Sequence, residues 1–241
     1  MTATDHPAPV AVEIAHAHGV AQAVSWPWPA SDLALLVLHD FGSDLDSMRW
    51  LCDRFAHAGV HVLSLDLPGH GLSGGELGQD GPAVVAAGFR FLQESAQGAV
   101  GVVARGRSAH LLLATNLKVP PVAAAFLDPR RDARGPEHSS SRWLHVPKLV
   151  VLSAGAESPY AQKIIEDTTA WCLRADLVGL TEKGPDRDGF EVQVSTMMLK
   201  FLLEQAAFEL SSRRMAAAAA ADGRTGEASE AFRPDEGGET P

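Results

Sequence analysis

The chain has 241 residues, of which 46% are hydrophobic and 21% charged, and its formal net charge is −10. That length and apolar content suit one globular domain with an ample core. The acidic balance argues against a nucleic-acid partner, which would need a basic patch, and no apolar run approaches the ~20 residues that span a bilayer.

Residues 1–9 carry no apolar stretch of the signal-peptide kind and read as a disordered N-terminus. Residues 10–15 and 21–26 read as two strands around Gly19, the second closed by Trp26-Pro27-Trp28-Pro29. Residues 33–38 form a continuous apolar run, the pattern of a strand buried on both faces. Ser43 and Asp44 offer an N-cap, and Leu45, Met48, Leu51, Cys52 and Phe55 follow at helical spacing. Residues 60–65 make the next buried strand, and residues 69–81 a glycine-rich loop. Pro82 suits the first turn of a helix whose stripe is Val84, Val85, Phe89 and Leu92.

Residues 99–104 read as a strand and 111–117 as a helix after a tight turn. Strands follow at 122–127 and 149–152, a helix at 164–171 and a short strand at 177–180. Val194, Met198, Phe201 and Leu202 mark a long amphipathic helix. Residues 215–241 are rich in Ala, Gly, Glu and Pro. Residues 216–221 are able to extend the last helix, and the rest of this tail is expected to be disordered. Strands alternating with helices predict an α/β fold over residues 10–214, a mostly parallel sheet with helices on both faces. Two cysteines, Cys52 and Cys172, without CxxC spacing, argue against a disulfide framework and point to a reducing, cytoplasmic setting.

Two segments carry a specific signal together. His39-Asp40-Phe41-Gly42 follows one buried strand, and Leu65-Asp66-Leu67-Pro68-Gly69-His70-Gly71-Leu72-Ser73-Gly74 follows the next. On these the chain resembles the α/β-hydrolase superfamily, especially its lipase, esterase and lysophospholipase-like members. The first segment is similar to the HGxG oxyanion motif with Asp40 in place of a glycine. The second is similar to the DxxGxGxS loop. The resemblance covers roughly residues 10–210 and leaves no room for a cap domain. It implies a Ser-acid-His triad in that chain order, with the serine on a strained strand-to-helix turn.

The nucleophile turn falls in Ala104-Arg105-Gly106-Arg107-Ser108-Ala109-His110, and two registers fit. With Gly106 on the turn, its flanks are the small residues Ala104 and Ser108. With Ser108 on the turn, its flanks are Gly106 and the bulky His110. The steric demand favours Gly106, which tolerates the strained backbone but has nothing to attack with. Asp128 and Glu157 are candidate acids. No histidine follows His145, so the base is missing from its usual loop near residues 181–189. Asp186, Arg187 and Asp188 occupy that loop.

His39, Asp40, Phe41, Gly42 and Arg107 are candidates for an oxyanion or ligand pocket, with the backbone N–H groups of Phe41 and Arg107 as donors. Arg105 and Arg107 suit an anion or a partner acid such as Asp40. His70 reads as structural and His110 as packed. His16 and His18 are too few to make a metal site. Cys52 reads as core and Cys172 as inert. No cofactor is implied. The resulting expectation is a degenerate α/β-hydrolase-fold protein, a non-catalytic ligand-binding module or an accessory subunit of an enzyme complex. It would have a small-molecule ligand in the cleft or a partner protein. The alternative is an active ester hydrolase with Ser108 as nucleophile and an out-of-order histidine as base.

Overall fold

The structure is a computed structural model that describes residues 7–133, 143–168 and 171–230, the last ten of these for backbone only. Eight strands form one sheet: β1 Val10–His16, β2 Gly19–Trp26, β3 Leu33–Leu38, β4 His61–Leu65, β5 Ala99–Arg105, β6 Ala124–Leu127, β7 Lys148–Leu152 and β8 Cys172–Asp176. The spatial order is β1-β2-β4-β3-β5-β6-β7-β8. β2 runs antiparallel to both β1 and β4, and every later pairing is parallel. The helices are α1 Arg49–His57, preceded by a 3-10 turn over Leu45–Met48, then α2 Leu77–Ser95, α3 Ser108–Ala114, α4 Pro159–Glu166 and α5 Arg187–Glu230.

Alternation along β3 divides the core between the two faces. Leu36 and Leu38 join Leu63 and Leu65 against α2, α3 and α4, through Val84, Phe89, Leu112 and Ile164. Leu35 and Val37 join Val62 and Val103 against α1 and α5, through Phe55, Phe190, Val194, Met198 and Phe201. All six residues of β3 are buried, as a parallel strand covered on both sides requires. Cys52 lies in this second layer, fully buried.

Several local readings change. The last strand is β8, not residues 177–180, and the helix before it ends at Glu166 rather than residue 171. α2 starts at Leu77, so Pro82 stands inside it rather than in its first turn. His18 sits in the β1–β2 turn beyond the strand and bonds Asp80. α5 runs as helix to Glu230, well past residue 214, and alanine propensity, which needs no core contact, accounts for residues 216–221 of it. Residues 231–241 of the expected tail lie outside the described residues, as do residues 1–6. Residues 128 to 147 separate β6 from β7, too short a stretch for a cap domain. Among the described residues no helix is long and apolar enough to cross a membrane.

Candidate functional site at the end of β5

Residues of the loops after β3, β6 and β8 reach the turn between β5 and α3. Gly106 stands at that turn with φ +59°, a left-handed conformation that glycine adopts without penalty. Its N–H donates to the Leu127 carbonyl and its carbonyl accepts from the Arg130 N–H, both at 2.9 Å, so the turn is fixed to the loop after β6. Ser108 lies two residues on, in the first turn of α3, and is fully buried. Its hydroxyl accepts from the Arg105 N–H at 3.1 Å and donates to the Arg105 carbonyl at 2.8 Å. The group is thus spent on closing the turn.

Asp40 defines the site. One carboxylate oxygen, Oδ1, accepts from two backbone N–H groups at 2.8 Å: that of Phe41 and that of Arg107. The other oxygen pairs with the Arg130 guanidinium. A side chain on Gly106 would overlap this carboxyl group, so the acid lies where a nucleophile would stand. The two amides named as candidate oxyanion donors therefore hold an internal anion. The Arg107 guanidinium lies 5.4 Å from the Phe41 ring centroid, a cation–π contact at the rim.

The remaining candidates are anchors rather than free groups. His39 was expected to line the pocket, but it is fully buried. Its Nδ1–H donates to the Asp40 carbonyl at 2.8 Å and its Nε2 accepts from the Leu67 N–H at 3.0 Å. Burial holds its pKa below the usual histidine range. It ties the loop after β3 to the loop after β4 instead of facing a ligand. Gly42 donates its N–H to His70 Nε2 at 2.9 Å, while His70 Nδ1–H donates to the Pro68 carbonyl at 2.9 Å. Asp66 organises the glycine-rich loop, accepting from the N–H groups of Leu45 and Leu72. Gly71 is obligatory there, since a Cβ would overlap the Asp66 carboxyl group. His110 is buried, edge-on to Tyr160, and accepts from the Asp132 N–H at 3.2 Å.

Of the candidate acids, Asp128 holds the loop after β7, accepting from the Ser153 N–H at 2.7 Å and its hydroxyl at 2.5 Å. Glu157 is exposed. The loop after β8 contributes Glu182, which forms a bidentate pair with Arg105. Asp186 accepts from the Gly189 N–H at the start of α5, where Arg187 and Asp188 form its exposed first turn. Sequence reasoning missed Glu182 and Arg130 as partners. The departure of Asp40 from glycine was the one signal available, and it pairs with the departure of Gly106 from serine. Among the described residues no group of three or more metal-ligating side chains converges.

No protein-family model and no curated protein sequence matches the chain. Solved structures do match. It is similar to an esterase of Pyrococcus furiosus, at 16% identity over 83% of this chain and 93% of that one, with a TM-score of 0.64. It is similar to an α/β serine hydrolase homologue from Coxiella burnetii, at 10% identity over 80% and 97%, with a TM-score of 0.63. It is also similar to a serine hydrolase without a lid from Xanthomonas campestris, at 12% identity over 82% and 93%, with a TM-score of 0.60. At these identities the likeness speaks for the backbone and leaves the chemistry open. By its sheet order, its strand-to-helix turn after β5 and these neighbours, the chain has the α/β-hydrolase fold.

Proposed function

We propose that this chain is a non-hydrolytic α/β-hydrolase-fold protein, a ligand-binding or accessory component that has kept the scaffold without the nucleophile. One observation carries the reading: the Asp40 carboxylate sits on the Phe41 and Arg107 amides directly over Gly106. Acyl transfer on this fold needs a nucleophile at that turn and two N–H groups free to receive the developing oxyanion. Here the turn carries hydrogen in place of a side chain. The amides are occupied, and a second anion brought to them would meet the first at contact distance, where like charges repel. The absence of any histidine beyond His145 supports the same reading.

Ser108 offers the alternative route, and its hydroxyl is bonded at both ends to Arg105. Attack from there would require opening the first turn of α3. The accessory role assigns the partner or ligand to surfaces rather than to a reacting centre, and the two free cysteines fit a cytoplasmic setting.

The test is a fluorophosphonate reaction of the purified protein, read by intact mass beside Ser108→Ala. The expected result is no adduct on either protein, with both folded by circular dichroism. A single adduct on the wild type that Ser108→Ala removes overturns the proposal and establishes a serine hydrolase.

A further inference from the structure

The opposite end of the sheet has a different character. A cavity of about 760 Å³ opens at the amino-terminal ends of β5, β6 and β7, between the last turns of α2 and the middle of α5. That volume lies within the range of small-molecule pockets. Phe89, Val100, Leu117, Trp143 and Phe208 supply its apolar wall. Phe208 is the exposed member of this wall, and the other four are buried. It stands one heptad beyond Phe201 on α5, and Phe201 is buried against the sheet while Phe208 is 72% exposed. The helix outruns the sheet, so its apolar stripe continues without cover.

The charges of the wall are biased. It carries two cations, Lys118 and Arg213, and one carboxylate, Glu209. Glu209 is paired with Arg213 at 2.8 Å. Lys118 has no ion pair among the described residues. The remaining polar groups include the amides of Gln93, Gln97 and Gln205. In a chain of net charge −10 this wall presents, among the described residues, a cation without an ion pair beside an apolar surface.

We propose that this cavity binds a free amphiphile with an anionic head, a medium-chain carboxylate. The chain lies along Phe89, Trp143 and Phe208, and the head is placed at Lys118. An apolar body requires the wall, a carboxylate requires the unpaired ammonium, and a cationic amphiphile would meet Lys118 as a like charge. None of the residues belongs to the β5 turn, so this inference and the non-hydrolytic reading stand or fall separately.

The experiment titrates the full chain with sodium decanoate below its micelle concentration, followed by amide NMR and calorimetry. Decyltrimethylammonium and anionic phospholipid vesicles are run in parallel. Saturable decanoate binding is expected, with shifts confined to residues 89–100, 117–122, 143–147 and 205–213. Lys118→Glu should weaken it by about tenfold, the worth of one close charge contact. Phe208→Ser, at an exposed position that does not threaten folding, should weaken it as well. The proposal is overturned by an absence of saturation or by equal affinity for the cationic amphiphile. It is also overturned by shifts centred on Gly106, by binding to vesicles alone, or by a dimer that Phe208→Ser dissociates, which would make a second copy the occupant.

Discussion

The two ends of the sheet have been treated in opposite ways. At the carboxyl ends, where this fold places its chemistry, the carboxylates and the hydroxyl around the β5 turn have partners supplied by the chain, and the Arg107 guanidinium lies over the Phe41 ring. Asp40 takes the two amides and Arg130, Glu182 takes Arg105, and Asp128 takes Ser153. At the amino ends, α5 overhangs the sheet, and the cavity beside it holds a lysine without an ion pair among the described residues. The contrast teaches where to look for function. A pocket whose donors are already bonded must lose those bonds before it takes a ligand, and the tethered Asp40 competes at high effective concentration. The cavity at the other end has no such competitor among the described residues.

The sharpest way to break this contrast is to return a nucleophile to the turn. Gly106→Ser puts a Cβ into the Asp40 carboxyl group and forces a left-handed conformation on an L-residue. A loss of about 3 kcal/mol is expected from strain and overpacking together, measured by urea unfolding. Adding Asp40→Gly should recover part of it, with a coupling of about 2 kcal/mol between the two sites. Additive losses would show that the two residues do not share one space. Wild-type stability for Gly106→Ser alone, with fluorophosphonate reactivity, would show that the carboxylate moves aside and the end is not closed.

How far the sequence reveals this contrast follows from burial. β3, β4 and β5 are buried throughout or nearly so, and their continuous apolar runs announce a parallel sheet. β8 is an edge strand with Leu173 and Arg174 exposed, so it has neither a buried run nor a clean alternation, and the neighbouring Leu177 and Leu180 drew the assignment instead. α5 beyond residue 214 has no apolar stripe to read, only the alanine propensity of residues 216–221. In the site, the glycine at 106 and the acid at 40 are each visible as departures from the family pattern. That they fill one another's space is a tertiary fact between residues far apart in the chain. The same holds for Arg130 and Glu182, whose neighbours in sequence carry no motif.

The second test sharpens the amino end. Lys148, at the start of β7, is buried and donates its ammonium protons to the carbonyls of Trp143 and Val146. Burial lowers its pKa from 10.5 to about 8. Between those values the unfolded chain holds a proton that the folded chain has released, so Lys148 makes stability rise with pH across that window. Lys148→Met removes this contribution. The stability of the wild type relative to the variant should therefore increase by roughly 2 kcal/mol between about pH 8 and about pH 10. Urea unfolding at the two pH values measures it. A flat difference would mean that water reaches Nζ, and that this end of the sheet is wet beneath the cavity as well as within it.

The smallest effect concerns the loop after β8, which the family resemblance would give to a histidine base. Here Glu182 reaches back to Arg105, with each side chain only about a fifth exposed. The Arg105 hydrogen bonds hold the Glu182 carboxyl below its usual 4.5. A depressed carboxylate contributes stability that is complete above the unfolded value and is lost as pH falls through the folded one. Glu182→Gln keeps the shape and one acceptor but removes the charge, so it should cost about 1 kcal/mol near neutrality. As pH falls below 4.5 and on through the folded-state value, which lies lower, the cost should shrink toward zero. A cost that does not change as the pH is lowered would mean that the loop is held by packing and that the ion pair is incidental. The carboxyl end would then be closed by Asp40 alone, with the loop after β8 left able to move away from it.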